Sequence, residues 1–72
     1  NDPLYRKKIK KLIAIRELRK ITQVELAKKK KKNQSYIAKV ENYDRRIDIL
    51  ELYDWLKALD VPIENFLKEI FK

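Results

Sequence analysis

Residues 21–42 read ITQVELAKKKKKNQSYIAKVEN and contain the start signals of two short helices. Thr22 and Glu25 form a capping box, in which the threonine hydroxyl accepts from the third amide of the helix and the glutamate reaches back to the cap amide. Asn33 can cap a further helix that ends near Asn42. Because about three or four residues separate the two helices, this stretch predicts two short helices joined by a tight turn.

Capping signals place three more helices in the chain. Asp2, followed by a proline at the first helical position, predicts a helix at the N-terminus. Asp48 repeats the capping box with Glu51 and predicts a fourth helix. A fifth helix is expected over about residues 62–71. The chain has no Gly and two Pro, and its apolar residues are spaced by three and four, so we predict a compact all-α domain of five helices.

Composition restricts the function. A chain of 72 residues supports one small core, so we expect a single domain over residues 1–72. The sequence has no Cys and no His, which excludes zinc sites built on them and catalysis by a histidine base. It also has no Gly-rich phosphate loop and no Ser beside a general base. We therefore predict that the protein is not an enzyme and uses no metal or cofactor.

The charge is strongly basic and unevenly distributed. The net charge is +8, and residues 1–46 hold 16 basic and 5 acidic side chains, whereas residues 47–72 hold 3 and 6. This asymmetry indicates a face that binds a polyanion such as nucleic acid. No stretch is apolar enough to cross a bilayer, so we expect a soluble protein without a membrane partner.

Two short helices joined by a tight turn, within a basic domain, form the arrangement that places the second helix in the DNA major groove. Over about residues 9–67, the sequence closely resembles the lambda-repressor-like, Cro-type helix-turn-helix family. The matching positions are Ile15-Arg16, Gln23, Gln34-Ser35 and Glu41-Asn42. The resemblance implies a helix-turn-helix at about residues 22–42, formed by helices two and three. It also implies sequence-specific binding of double-stranded DNA by a transcriptional repressor or regulator. Such a regulator is expected to be a cytoplasmic prokaryotic protein, associated with the nucleoid when bound to DNA.

The resemblance implies that helix three reads base edges. The predicted base contacts are Gln34, Ser35, Lys39 and Tyr36. The chemistry of these side chains agrees, because a glutamine can bond adenine bidentately and a lysine can donate to guanine. Ser35 and Lys39 are four residues apart and share a face, while Ile37 and Val40 should turn inward.

A second set of residues is predicted to bind the phosphate backbone. The resemblance implies that Gln23 binds a phosphate and also buttresses Gln34. Arg45 and Arg46 lie in the loop after helix three, where they can position the domain without reading sequence. The predicted phosphate contacts are Gln23, Asn33, Asn42, Arg45, Arg46 and Lys32. The resemblance further implies a buried, structural ion pair between Arg16 and Glu41.

The chain departs from this family at its helix ends. Four positions where relatives commonly carry Gly hold Lys20, Lys31, Tyr43 and Asp60. A left-handed residue other than Gly or Asn costs about 1 kcal/mol, so either these corners adopt another geometry or the cost is tolerated. Lys30 also replaces an apolar residue. We expect its stem to lie over the core and the end of helix two to pack less tightly.

The last helix carries more apolar surface than docking onto the domain requires. We expect a homodimer on a palindromic operator, because two recognition helices about 34 Å apart multiply the specificity of one. Part of this face must cover the core. The predicted dimer interface is Ile63, Phe66, Leu67, Ile70 and Phe71. Two alternatives stay open: an antitoxin or accessory regulator that binds a protein partner through this helix, and a non-specific basic nucleic-acid binder.

Overall fold

Five α-helices follow one another in the predicted order in the computed structural model, which describes residues 2–72. They are α1 (Pro3–Leu18), α2 (Gln23–Lys30), α3 (Gln34–Glu41), α4 (Ile49–Ala58) and α5 (Ile63–Ile70). No strand occurs within this range, and the predicted all-α, five-helix fold is confirmed. In the same range, no helix is both long and apolar enough to cross a membrane.

Side chains cap the starts of the first four helices, as the sequence predicts. The caps are Asp2, Thr22, Asn33 and Asp48. Thr22 and Asp48 complete capping boxes with Glu25 and Glu51. In each box the cap side chain accepts from the amide of the glutamate, and the glutamate accepts from the amide of the cap residue. α5 follows Pro62 directly and has no side-chain cap. Its position therefore depends on packing of its apolar face.

All four of the corners where relatives commonly carry Gly adopt the left-handed conformation. The φ angles are 58° at Lys20, 56° at Lys31, 65° at Tyr43 and 62° at Asp60. Each corner repeats the hydrogen bonds of a Schellman motif; at the end of α2, Lys31 N donates to Lys28 O (3.2 Å) and the next amide donates to Ala27 O (2.9 Å). The cost of about 1 kcal/mol per corner is thus tolerated, because the motif satisfies the last carbonyls of each helix.

One cluster of apolar side chains fills the space between the helices. Trp55 of α4 is completely buried in this cluster. α3 contributes Ile37 and Val40, which are also completely buried. Because α2 and α3 pack on this cluster from one side, their opposite faces remain at the surface.

Lys30 is buried although it lies in a run of five lysines. Its side chain is 1% exposed, and its ammonium group forms an ion pair with Asp54 of α4. The same ammonium lies 5.1 Å from the ring centroid of Trp55. The stem covers the core as predicted, but the end of α2 is tied to α4, so the expected loosening of this end is wrong.

α5 uses part of its apolar face inside the monomer. Phe66 is 1% exposed and Ile70 is 4% exposed, and both belong to the core cluster. Their inclusion in the predicted dimer interface is therefore corrected, because they face the domain's own core. Ile63 and Leu67 are partly buried against that core, and Phe71 is 67% exposed.

Candidate nucleic-acid interface

α3 has one polar, exposed face and one buried, apolar face. Gln34, Ser35 and Lys39 are exposed, whereas Ile37 and Val40 are buried. Because residues four apart lie above one another on a helix, Ser35 and Lys39 form one row on the outward face. Three of the four residues predicted to contact bases are thus presented together by a short capped helix.

A chain of hydrogen bonds orients the side chain of Gln34. Its Nε2 donates to Oε1 of Gln23 at 3.0 Å, and Nε2 of Gln23 donates to Oε1 of Glu41 at 2.9 Å. Gln34 therefore uses one of its two N–H hydrogens within the domain. Its carbonyl oxygen and second N–H remain for a ligand, and this donor and acceptor pair matches the major-groove edge of adenine.

The chain of hydrogen bonds ends on a buried ion pair. Arg16 Nε lies 2.7 Å from Oε2 of Glu41, and Arg16 Nη2 lies 3.0 Å from Oε1. A further N–H of Arg16 donates to the carbonyl of Ile21 at 2.8 Å. The two side chains are 11% and 6% exposed. The pair therefore lies beneath the outward face of α3 and joins α1 to the end of α3.

Tyr36 of α3, Arg45 of the loop that follows α3, and Glu51 of α4 form a second cluster. Tyr36 Oη donates to Oε2 of Glu51 at 2.9 Å, and Arg45 Nη1 donates to the same oxygen at 2.8 Å. The Arg45 guanidinium also lies 4.8 Å from the centroid of the Tyr36 ring. Tyr36 and Arg45, predicted as separate contacts, are therefore joined through a glutamate that the sequence indicates only as a helix cap.

The pKa values in this cluster show the same coupling. The pKa of Glu51 is lowered to about 2, first by the hydrogen bond from the Asp48 amide and then by Tyr36 and Arg45. The pKa of Tyr36 is raised to about 12 by burial, by its hydrogen bond to Glu51 and by the charge of that carboxylate. Near neutral pH, the carboxylate is therefore ionised and the phenol keeps its proton.

Arg46, the second arginine of the loop after α3, packs on a side chain of α1. The Arg46 guanidinium lies 3.9 Å from the ring centroid of Tyr5, and the Tyr5 hydroxyl accepts a hydrogen bond from the Ile47 amide at 3.2 Å. Arg6 stacks in turn on Tyr43, 4.1 Å from its ring centroid. Tyr5 positions the predicted phosphate contact Arg46, and this role has no local signal because the two residues are far apart in the sequence.

The other predicted phosphate contacts border α3. Asn33 Oδ1 accepts from the Tyr36 amide at 2.9 Å and from the Ser35 hydroxyl at 3.1 Å, so its amide nitrogen is the group that remains for a ligand. Asn42 is exposed just after the helix. The Lys32 ammonium lies 5.4 Å from the Tyr36 ring centroid. Within residues 2–72, no three acidic side chains converge to form a cation site.

Comparisons with known proteins agree with this architecture. The family model described as Helix-turn-helix matches residues 12–66. The structure is similar to the crystal structure of the wild-type restriction-modification controller protein C.Esp1396I, with a TM-score of 0.90 and 27% identity over 99% of this chain and 91% of that chain. It is also similar to the tetramer of that controller protein in complex with its natural 35 base-pair operator, with a TM-score of 0.83 and 30% identity over 100% of both chains. No curated protein sequence matches the chain.

Proposed function

Because this chain belongs to the lambda-repressor-like helix-turn-helix family, we propose that it binds double-stranded DNA at specific sequences and regulates transcription. In this proposal α3 lies in the major groove and Gln34, Ser35 and Lys39 contact base edges. Repression follows from occupation of an operator. The similar controller protein supports this proposal, because its structure was determined in complex with its natural operator.

The orientation of the Gln34 side chain is the main support for sequence-specific binding. A glutamine at the surface of a helix is ordinarily mobile, but this one is held through Gln23 to a buried ion pair. A side chain fixed in this way loses less conformational entropy on binding, and its remaining donor and acceptor are suited to one base edge. The same arrangement has no evident use in a binder that responds to charge alone.

We propose further that the protein acts as a homodimer on a palindromic operator. The apolar side chains of Leu4, Ile49 and Phe71 are 43%, 62% and 67% exposed and border one groove beside α5. Exposed apolar surface of this kind is typical of protein interfaces. The similar controller protein is a tetramer on its operator. We assign Ile63, Leu67 and Phe71 to the contact with the second copy.

The experiment that tests this function is selection of the purified protein against a random duplex library. We expect enrichment of a palindrome whose half-sites lie about one helical turn apart, because a twofold dimer presents two copies of α3 at that spacing. Enrichment of a single half-site would contradict the dimer but not base reading. Recovery of unrelated sequences would contradict sequence-specific binding and would favour the non-specific binder.

A further inference from the structure

Glu51 lies where two predicted DNA contacts meet, and one of its oxygens accepts hydrogen bonds from both. Tyr36 and Arg45 donate to this Oε2 at 2.9 and 2.8 Å. A DNA phosphate offers the same kind of negatively charged oxygen to the same donors. Glu51 therefore occupies, within the protein, donors that any DNA backbone could otherwise use.

We infer that Glu51 is a specificity-determining residue of DNA binding, because it directs the Tyr36 proton and one edge of Arg45 away from phosphates and so weakens binding that ignores sequence. This inference rests on the proposed function. With its single proton given to Glu51, the Tyr36 hydroxyl can act toward DNA only as an acceptor. Phosphates have no donors, whereas the amino groups of adenine and cytosine are donors in the major groove.

Arg45 keeps part of its donor set in this arrangement. Its Nη1 serves Glu51 and the Arg46 carbonyl, the latter at 3.2 Å. The remaining N–H groups of the guanidinium can still bond a phosphate, but from one fixed direction. Glu51 thus acts as a positioning residue for Arg45. Its negative charge also offsets part of the attraction between the Arg45 guanidinium and DNA phosphates.

The geometry of the capping box supplies a clean test. Glu51 Oε1 accepts from the Asp48 amide at 3.1 Å, whereas Oε2 serves Tyr36 and Arg45. Glu51→Gln keeps an oxygen for the Asp48 amide and replaces the other oxygen with an NH2 donor. Since Gln is also accepted at this position of a capping box, the helix start is preserved while the oxygen that accepts from Tyr36 and Arg45 is lost.

Glu25→Gln is the matched control variant. Glu25 is the equivalent residue of the other capping box, and its Oε1 accepts from the Thr22 amide at 2.8 Å. Among residues 2–72, it has no contact with Tyr36 or Arg45 in hydrogen bonds or ion pairs. This variant removes the same unit of negative charge without changing the cluster. The two variants therefore separate a general charge effect from the specific role of Glu51.

The experiment measures affinity by fluorescence anisotropy for the duplex selected by the wild type and for a scrambled duplex, over a range of salt concentrations. For Glu51→Gln, we expect tighter binding to the scrambled duplex, on the order of threefold to tenfold, and a salt dependence steeper by about one phosphate contact. No comparable gain is expected on the selected duplex, so the preference falls by a similar factor. Glu25→Gln should change both duplexes alike and keep the preference.

Equal preference in the wild type and Glu51→Gln would overturn the inference while leaving sequence-specific binding intact. A wild type that selects no sequence would overturn the proposed function and this inference with it. Tyr36→Phe supplies a second check, since it removes the hydroxyl but keeps the ring. Because the hydroxyl proton is committed to Glu51, removal of the hydroxyl should not weaken binding to the scrambled duplex; weaker binding to that duplex would show that the proton reaches phosphates and would also overturn the inference.

Discussion

At the scale of single residues, we propose that base reading depends on Gln34 and that backbone binding depends on the loop arginines. Gln34 is held at 3.0 Å by Gln23, while Arg46 lies against the Tyr5 ring. Both side chains are exposed, yet their chemistry differs: an amide presents a directional donor and acceptor, whereas a guanidinium attracts any phosphate. Alanine substitutions at Gln34 and Arg46 should therefore have different effects on the affinity for selected and scrambled DNA.

We predict that Gln34→Ala weakens binding to the selected duplex by about 1 to 3 kcal/mol and leaves the scrambled duplex unchanged. Arg46→Ala should weaken both duplexes alike and reduce the salt slope by about one phosphate contact. Anisotropy titrations on the two duplexes measure both effects. If the two variants weaken both duplexes equally, the assignment of base reading to Gln34 fails.

Arg16 illustrates a residue whose contribution is to stability. We predict that Arg16→Ala lowers the free energy of unfolding by about 3 to 5 kcal/mol, because it leaves the carboxylate of Glu41 buried without its cation. Denaturant unfolding followed by the fluorescence of Trp55 measures this loss. The control is Glu69→Ala, which breaks the exposed pair with Lys11 at 3.6 Å and should change stability little. Similar losses in both variants would contradict the role of burial.

The sequence predicts residues whose role follows from position in a motif, but not those that act through side-chain contacts between distant segments. Gln23 and Gln34, which a family pattern relates, are bonded to each other in the structure. Glu51 was predicted only as a cap, because nothing in the local sequence indicates that Tyr36 and Arg45 share its second oxygen. Such contacts depend on the angle at which α4 meets α3 and on the rotamers chosen there.

At the scale of helices, the sequence predicts where each helix starts better than it predicts which side chains pair between helices. The caps of α1 to α4 were predicted correctly because each depends on a side chain within three residues of the amide it binds. The stem of Lys30 was predicted to lie over the core, but the ion pair of its ammonium group was not, because a run of five lysines is typical of a solvated face. Its partner, Asp54, lies on another helix and is 62% exposed.

The helix ends carry a testable strain. Lys31 has a φ of 56° at the end of α2, where Gly has no steric cost. We predict that Lys31→Gly raises the free energy of unfolding by up to about 1 kcal/mol. The control is Lys29→Gly, an exposed position inside the same helix, which should lower it by about 1 kcal/mol. Thermal unfolding measures both, and destabilisation by Lys31→Gly would contradict the strain.

At the scale of the whole molecule, the polar face of α3 and the apolar groove beside α5 divide the surface between two proposed partners. The excess of positive charge lies in residues 1–46, which include α3 and its flanking loop, whereas residues 47–72 carry more acidic than basic side chains. Charge can therefore orient the domain on DNA while α5 contacts a second copy.

We predict that Phe71→Glu dissociates the dimer without unfolding the monomer, because Phe71 is 67% exposed and follows α5 outside the core. Sedimentation measures the mass, and circular dichroism measures the helical content. Leu18→Glu is the control, since Leu18 is 84% exposed and does not line the groove. A wild type that sediments as a monomer at micromolar concentration would contradict the dimer.

Whether the outward face of α3 reads sequence can be measured by one ratio of dissociation constants. It compares the duplex selected by the wild-type protein with a scrambled duplex of the same length and composition, at about 0.15 M salt. We predict a preference of at least about a thousandfold for the selected duplex. Equal dissociation constants that rise together as salt increases would contradict sequence reading by α3 and leave a basic protein whose attraction to DNA is set by charge alone.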